Sequence, residues 1–266
     1  MQPEWVPPDV DVDRPSVARI YDYLLGGSHN FAADREVARA AMAAIPDLTV
    51  QAQANRAFLH RAVRYLVDAG VRQFLDLGSG IPTLGNVHEI AQQVTPDARV
   101  VYVDIDPVAV AHSRQLLTGS PCATVVHADL RHTQRVLSDD DLRRVLDLSE
   151  PVAVLAVAVL HAISDADDPA RVIAQYRDAI APGSYLAIAH GTDNRPDDVK
   201  QMVELSQRTT TPITTRTAPQ IEAMFDGFEL IEPGLVWAPL WHPESPHEVP
   251  PHPELSGNLA GVGYKR

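Results

Sequence analysis

The sequence predicts an α/β fold, a largely parallel sheet with helices on both faces behind an N-terminal helical cap. Three observations carry that prediction. Short apolar runs alternate with helix-period segments from Gln73 to Ala189, the rhythm of β-α-β crossovers. Val152 to Val159 is apolar without interruption, as a strand covered on both faces must be. FLDLGSG, residues 74–80, runs a strand straight into a turn whose two glycines let the backbone bend sharply and approach a ligand.

The elements follow in order. Met1 to Pro15 is acidic and proline-rich and reads as a mobile leader. Ser16 can cap a helix through SVARIYDYLLGG, which Gly26 and Gly27 end. Phe31 to Ala44 is an alanine-rich helix stopped by Pro46, and Val50 to Ala69 is a third helix closed by Gly70. Residues 16–70 thus form the cap, and residues 71–266 the sheet domain, in one compact unit. Strands are expected at Gln73–Leu77, Arg99–Asp104, Ala123–His127, Val152–Val159 and Tyr185–Ala189. Helices fall between them at Leu84–Gln93, Pro107–Leu117, Asp139–Leu148 and Pro169–Ile180. Pro107 and Pro169 open their helices where no N–H is needed. The rhythm then changes, to helices at Pro196–Arg208 and Thr217–Phe225 and strands at Phe228–Ile231 and Leu259–Tyr264. Between those strands, Pro233 to Asn258 is a proline- and histidine-rich loop, long enough to be either functional or disordered. There is no internal repeat.

The chain has 266 residues, 45% of them apolar, enough for one large domain or two small ones with a sizeable core. No apolar stretch approaches the ~20 residues that span a bilayer. The N-terminus lacks the basic start and apolar centre of a signal peptide. Cys122 is the single cysteine, which excludes an intrachain disulfide and a multi-cysteine metal site. A cytoplasmic protein without a membrane partner is the plain reading. The net charge of −13 argues against a nucleic-acid partner. Arg56, Arg61 and Arg64 read as the solvated face of a helix. Composition leaves the oligomeric state open.

The glycine turn carries the chemistry. Asp76 ends the first strand before Gly78, Ser79 and Gly80. Asp104 and Ile105 end the second strand in VYVDID, and Asp129 and Leu130 follow the third in ADL. Asp104 lies 24 residues after Gly80, near the ~20-residue spacing of a ribose-binding acid. Asp129 could meet an adenine amino group. Any one of these acids could be an ordinary cap; three at successive strand ends line one crevice. A dinucleotide would call for glycine at Thr83, and its pyrophosphate would face Asp76. A cationic cofactor would favour an acid there, and the sulfonium and ammonium of S-adenosylmethionine satisfy that condition.

At these residues the sequence resembles the class I S-adenosylmethionine-dependent methyltransferases: FLDLGSG their first motif, VYVDIDP their second and HADLR their third. It is most similar to a bacterial family of S-adenosyl methyltransferases, through SVARIYDYLLGGSHNFAADRE, NRAFLHRAVRYL, LDLGSGIPTLGNVHEIAQ, VYVDIDPVAVAHSRQLL and GFELIEPGLVWAPLW. The resemblance implies a Rossmann-like sheet of seven strands, the last antiparallel, closed by a hairpin of GFELI and AGVGYK. It implies S-adenosylmethionine as cofactor and S-adenosylhomocysteine as product. Gly78 and Gly80 would lie under the methionine part, Asp104 would hold the ribose, and Asp129 and Leu130 would flank the adenine. Asp76, Ser79 and Ile105 complete that set. The family pattern names no acceptor.

In-line methyl transfer needs chiefly alignment, with a general base where the acceptor is a hydroxyl or ammonium. His161 follows the fourth strand in VLHAISD, beside the expected methyl position, and is the candidate base or acceptor contact. The alternative is a histidine bonded to loop backbone. His190 ends the fifth strand, in IAHGTD, and is a second candidate acceptor contact, and Asp193 reads as a turn residue. Tyr21, His29 and Asn30 lie in a stretch too polar for packing alone. Tyr21 could close over the cofactor, as N-terminal tyrosines do in similar enzymes, or pack as an amphipathic helix residue. Asn55 and Arg56 could fix a carboxylate. Arg216 could pair an acceptor carboxylate or make a surface salt bridge. Trp237 and Trp241 could wall an apolar acceptor pocket or staple the loop. His242, His247 and His252 lack metal-ligand spacing, and no metal is expected. The favoured function is methyl transfer to a small molecule. The competing readings are a non-catalytic S-adenosylmethionine-binding or regulatory protein on the same fold, and a nicotinamide-dependent oxidoreductase, against which Thr83 and Asp76 both count.

Overall fold

The sheet grows outward from β1 (Gln73–Leu77), buried along its whole length. In the computed structural model, which describes residues 10–82, 85–193 and 196–266, β1 pairs in parallel with β2 (Arg99–Asp104) on one side and β4 (Ala153–Val157) on the other. β3 (Ala123–His127) adds in parallel beyond β2, and β5 (Tyr185–Gly191) beyond β4. β8 (Asn258–Tyr264) returns antiparallel along all of β5. Its free edge takes β6 (Glu229–Leu230) and β7 (Val236–Trp237), both antiparallel, for a strand order of β3-β2-β1-β4-β5-β8-β6 with β7 also on β8. Residues 1–9 of the leader and Thr83 lie outside the described residues.

The sheet has eight strands, not the expected seven, because one strand position is broken in two. Ile231 N–H still bonds Val262 O at 2.9 Å. A turn closed by Gly234 N–H on Ile231 O at 2.8 Å then lifts the chain away, and pairing resumes at Val236. Pro233 has no N–H to give to a ladder, so the break falls there.

Alternate residues of β1 serve opposite faces, as the strand period requires. Leu75 and Leu77 pack with α6 (Thr133–Leu137), α7 (Asp140–Val145), α8 (Pro169–Ala179) and α10 (Ala218–Glu222). Phe74 packs on the other face with α3 (Leu48–Asp68), α4 (Val87–Val94) and α5 (Pro107–Leu116). Asp76 shares the Phe74 side and so points toward α3. The helix expected over Asp139–Leu148 is the shorter α7, capped by Asp139 accepting from Asp141 N–H and Leu142 N–H, and α6 precedes it where no helix was expected.

Three helical elements and the leader roof the strand ends: α1 (Val17–Leu24), α2 (Ala32–Ala44) and α9 (Pro196–Ser206), which is followed by the segment TTTPITT at 209–215. Residues 10–15 belong to this roof. Val10 is buried with Ile81, Val108 and Ala109, and Pro15 O accepts from Thr210 N–H at 2.9 Å.

The proline- and histidine-rich loop is folded across α3. Trp241 is fully buried, edge-on to Phe58 and Tyr65, and Arg61 donates to Trp241 O and Ala238 O at 2.8 and 2.7 Å. Arg64 pairs with Glu244, and Arg56 donates to Gly85 O at 3.0 Å. The three arginines read as a solvated face are therefore engaged, two by the loop and one by the turn after β1. Trp241 is the staple and Trp237 the wall. Among the described residues no group of His, Cys, Asp or Glu could hold a metal, and no helix is long and apolar enough to cross a membrane.

Candidate functional site

A cavity of about 780 Å³ lies over the carboxyl ends of the parallel strands, where open α/β sheets bind ligands. Single-ligand pockets run from about 300 to 1,000 Å³, so this one is roomy. Its roof is bonded to its floor. Arg19, 3% exposed, lies with Nε 3.3 Å from the Asp34 carboxylate and 3.9 Å from that of Asp106. Ser16 heads α1, yet its hydroxyl donates to Asp106 rather than capping its own helix, and its N–H donates to Asp34 at 2.9 Å. Asp106 in turn caps α5. The cap is thus tied to the loop that carries Asp104.

The floor is the glycine turn. Gly78 N–H and Ser79 N–H bond Val103 O at 2.7 and 3.2 Å, and Gly80 N–H bonds Asp104 Oδ2 at 2.7 Å. Gly78 and Gly80 both have φ of +67°, which disfavours any residue with a Cβ. At Gly78 a Cβ would also meet Val159 at 2.1 Å, whereas at Gly80 it would point into open space. Asp104 Oδ1 accepts from Asp106 N–H at 2.8 Å. The Ile105 N–H also bonds this carboxylate, which is thus held by backbone on both oxygens at the edge of the cavity.

Both acids are held far above the usual carboxylate range. Burial pushes Asp76 up to about 7, with Arg56 pulling it down and Asp104 pushing it up. Burial pushes Asp104 up to about 6 against the N–H bonds of Asp106 and Gly80. A folded-state pKa above the unfolded value contributes stability below the unfolded value and loses it as pH rises through 6–7. Near neutral pH the two acids therefore favour a cation in the cavity. Ser79 Oγ and Asn55 Oδ1 are buried there without a hydrogen-bond partner among the described residues, and buried polar atoms in that state call for a polar ligand. Acids for a cation, a carboxylate for hydroxyls and orphaned polar atoms together fit S-adenosylmethionine.

The other cofactor candidates fall as follows. Leu130 and half-exposed Ile105 line the cavity. Asp129 also lines it, but both its oxygens are engaged by Arg131, with Nε at 3.0 Å from each and Nη2 at 2.6 Å from Oδ2. Burial raises Asp129, and the Arg131 bonds outweigh it and hold the carboxyl low. Arg131 also pairs with Asp167 at 3.0 Å. Tyr21 lines the cavity with its hydroxyl donating to Ala52 O at 3.1 Å and accepting from Asn55 Nδ2 at 3.0 Å.

On the acceptor side the structure divides the candidates. His161 lines the cavity, and among the described residues its ring makes no hydrogen bond; only its backbone O is used, accepting from Thr214 N–H at 2.7 Å. Burial and the Arg216 charge push its imidazole down to about 4. His190 and Arg216, expected to touch the acceptor, do not line the cavity. Arg216 donates to Leu160 O, Ile163 O, Asp165 Oδ1 (through Nε and Nη2) and His190 Nε2, which uses all five of its N–H groups. His190 Nδ1 faces Gly191 O at 2.8 Å, which assigns it the Nδ1–H tautomer. The pair clamps the loop that presents His161. We expect Arg216→Met to lower stability by about 3–5 kcal/mol in urea denaturation, because Leu160 O, Ile163 O and His190 Nε2 would be left buried without their donor. A loss under about 1 kcal/mol would show that the loop holds without it.

His29 and Asn30 also lie off the cavity. Asn30 Nδ2 bonds Asp22 Oδ2 at 2.8 Å and Gly27 O at 3.0 Å, His29 N–H bonds Asp22 Oδ2 at 2.9 Å, and the His29 ring lies 3.8 Å from that of His112. Their polarity fastens the turn between α1 and α2. Trp237 lines the cavity as expected. The residues that sequence reasoning missed are Thr192, whose Oγ1 is buried without a partner, and the segment 209–215. The threonine run around Pro212 was the available signal for the segment.

The S-adenosyl methyltransferase family model matches residues 3–266. A Thermobifida fusca crystal structure, of a protein whose proposed activity is methyl transfer, is 45% identical with a TM-score of 0.92, covering 99% of this chain and 100% of that one. A DUF574 family protein from Streptomyces avermitilis is 38% identical with a TM-score of 0.92, covering 96% and 100%. An O-methyltransferase family protein from Burkholderia thailandensis is 14% identical with a TM-score of 0.52, covering 86% and 62%, and shares the fold alone. No curated protein sequence matches.

Proposed function

Because the chain belongs to the S-adenosyl methyltransferase family and is an S-adenosylmethionine-dependent methyltransferase, we propose that it passes the methyl group, by in-line displacement, to a small-molecule acceptor. The observation that carries this reading is the roofed cavity in which His161 lines the same space as Asp76, Asp104 and the glycine turn. A roof bonded to its floor through Arg19 and Ser16 suits a small molecule better than a protein chain.

In this reading Gly78 to Gly80 hold the methionine part, with Asn55 Oδ1 and Asp76 toward its ammonium. Asp104 accepts from the ribose hydroxyls. Ile105 and Leu130 pack on the adenine, whose amino group shares Asp129 with Arg131. Tyr21 closes from above. When bound, S-adenosylmethionine supplies a methyl group already activated by a sulfonium. His161 stays neutral at physiological pH and can take a proton from the acceptor at a ring nitrogen. Thr192 and Trp237 border the acceptor. We place the protein in a bacterial cytoplasm, supported by the bacterial sources of both full-length relatives and by the lone Cys122.

The test is calorimetric titration with S-adenosylhomocysteine. Saturable binding to one site is expected, and no binding would remove the reading. A pH series refines it. Asp76 and Asp104 gain charge as pH rises through about 7 and 6. Both ligands carry the ammonium and the ribose hydroxyls, so S-adenosylmethionine and S-adenosylhomocysteine should both bind more tightly from pH 5.5 to 8. A flat profile for both ligands would show that neither acid takes part in binding them.

A further inference from the structure

The cavity is charged at its floor and uncharged in its upper chamber. Where α1, α2 and the start of α3 face α9 and the segment after it, the wall is Ile20, Leu24, Val37, Leu48, Leu205 and Ile213. Among the described lining residues, the formal charges belong to the floor, to the Arg19 cluster, to the leader through Asp11 and Arg14, and to Glu254, which lies 3.1 Å from His252. The wall formed by those six side chains carries no charge of its own. Arg216, whose charge bears on the His161 ring, has every donor committed. Thr192, Thr214 and Thr215 line the cavity together with His161, and Thr192 Oγ1 is buried without a partner among the described residues.

An ion brought into such a space loses its water and gains no counter-charge, which is costly. An uncharged apolar body loses nothing comparable and gains from burial. We propose that the methyl acceptor is an uncharged, mainly apolar small molecule, seated between Leu24, Val37 and Ile213, whose nucleophile is a hydroxyl placed between His161 and Thr192. This rests on the methyl-transfer reading above and adds the substrate class to it. The acceptor oxygen forms the bond to the methyl carbon while its proton passes to a His161 ring nitrogen. The electron pair of the breaking carbon–sulfur bond stays on sulfur, which leaves as neutral S-adenosylhomocysteine. His161 then returns the proton to solvent.

Three probes with one ring system and different charge test it: 2-naphthol, 2-naphthoate and 2-naphthylmethylammonium. Each is titrated into protein saturated with S-adenosylhomocysteine at about pH 7.5. The naphthol should bind at least roughly tenfold more tightly than either ion. Ile213→Lys, checked for unchanged melting and S-adenosylhomocysteine affinity, should reverse the order of naphthol and naphthoate. Should that variant fail to fold, the wild-type ordering still decides. Equal or tighter binding of an ion to wild type, or binding of none of the three, overturns the inference and leaves methyl transfer standing. Failure of wild type to bind S-adenosylhomocysteine, measured first, overturns the methyl-transfer reading as well.

Discussion

Asp104→Ala is expected to weaken S-adenosylhomocysteine binding by about 10²–10⁴-fold. Two ribose hydroxyls donating to a charged acceptor are each worth about 1.5–3 kcal/mol, and about 1.4 kcal/mol is a factor of ten. The carboxylate also holds the turn itself, through Gly80 N–H at 2.7 Å and Asp106 N–H at 2.8 Å. Alanine therefore removes the ligand contact and releases the backbone that positions the methionine end. Asp104→Asn separates the two effects. Its single carbonyl oxygen can keep one of these N–H bonds and accept one hydroxyl, so an intermediate loss is expected. Calorimetry on both variants, with thermal melting as the fold control, reads the result. An alanine variant that binds within about threefold of wild type would take the ribose away from the end of β2.

What the sequence made legible was whatever is encoded locally. β1, β2 and β3 fall on the residues expected of them, because a buried parallel strand is a short apolar run with breakers at each end. The turn at Gly78 to Gly80 was legible because left-handed backbone selects glycine. The misreadings share a different cause. Arg61 looked like a solvated charge and is committed to carbonyls 177 and 180 residues away. Arg216 looked like a ligand for an acceptor carboxylate and is spent on a loop more than 50 residues upstream. Asn30 and His29 looked too polar for packing, and their polarity closes a turn with Asp22. A charged residue's role depends on where its partners arrive, and no local period records that. The eighth strand was hidden for a related reason. Pro233 breaks one strand position into two pieces of two residues each, too short for alternation to register.

The roof of the cavity was only half legible. Three helices before the first strand announced a cap, but its closure depends on Arg19 and Ser16 reaching Asp106, and on Thr210 meeting Pro15. These contacts join the beginning of the chain to the loop after β2 and to the segment after α9. They turn an open crevice at the strand ends into a roofed cavity. The burial of its floor and of the loop after β4 raises Asp76 and Asp104 and lowers His161, since in each case burial is the largest cause. One architectural fact therefore prepares acids for a cation and keeps a base neutral beside them.

That base supplies the second large effect. His161→Ala is expected to lower kcat by about 10²–10⁴-fold, the usual worth of a positioned general base, with S-adenosylhomocysteine affinity nearly unchanged. Among the described residues the ring makes no hydrogen bond, Thr214 binds only the backbone O, and the one ring contact is edge-on to His190 at 6.0 Å, so the fold should survive the substitution. With its imidazole pushed down to about 4, His161 is already neutral across the physiological range. Its own titration should then leave no limb in the kcat/KM profile above about pH 5, and a limb near 6–7 there belongs to Asp76 and Asp104 of the free enzyme. Added imidazole, entering the space that the ring vacates, should restore part of the turnover in the alanine variant, an effect that a purely structural histidine would not give. A variant that keeps kcat within about threefold and shows no response to imidazole would mean that the acceptor loses its proton without help. The part left to this chain would then be alignment of acceptor, methyl and sulfur within the roofed cavity.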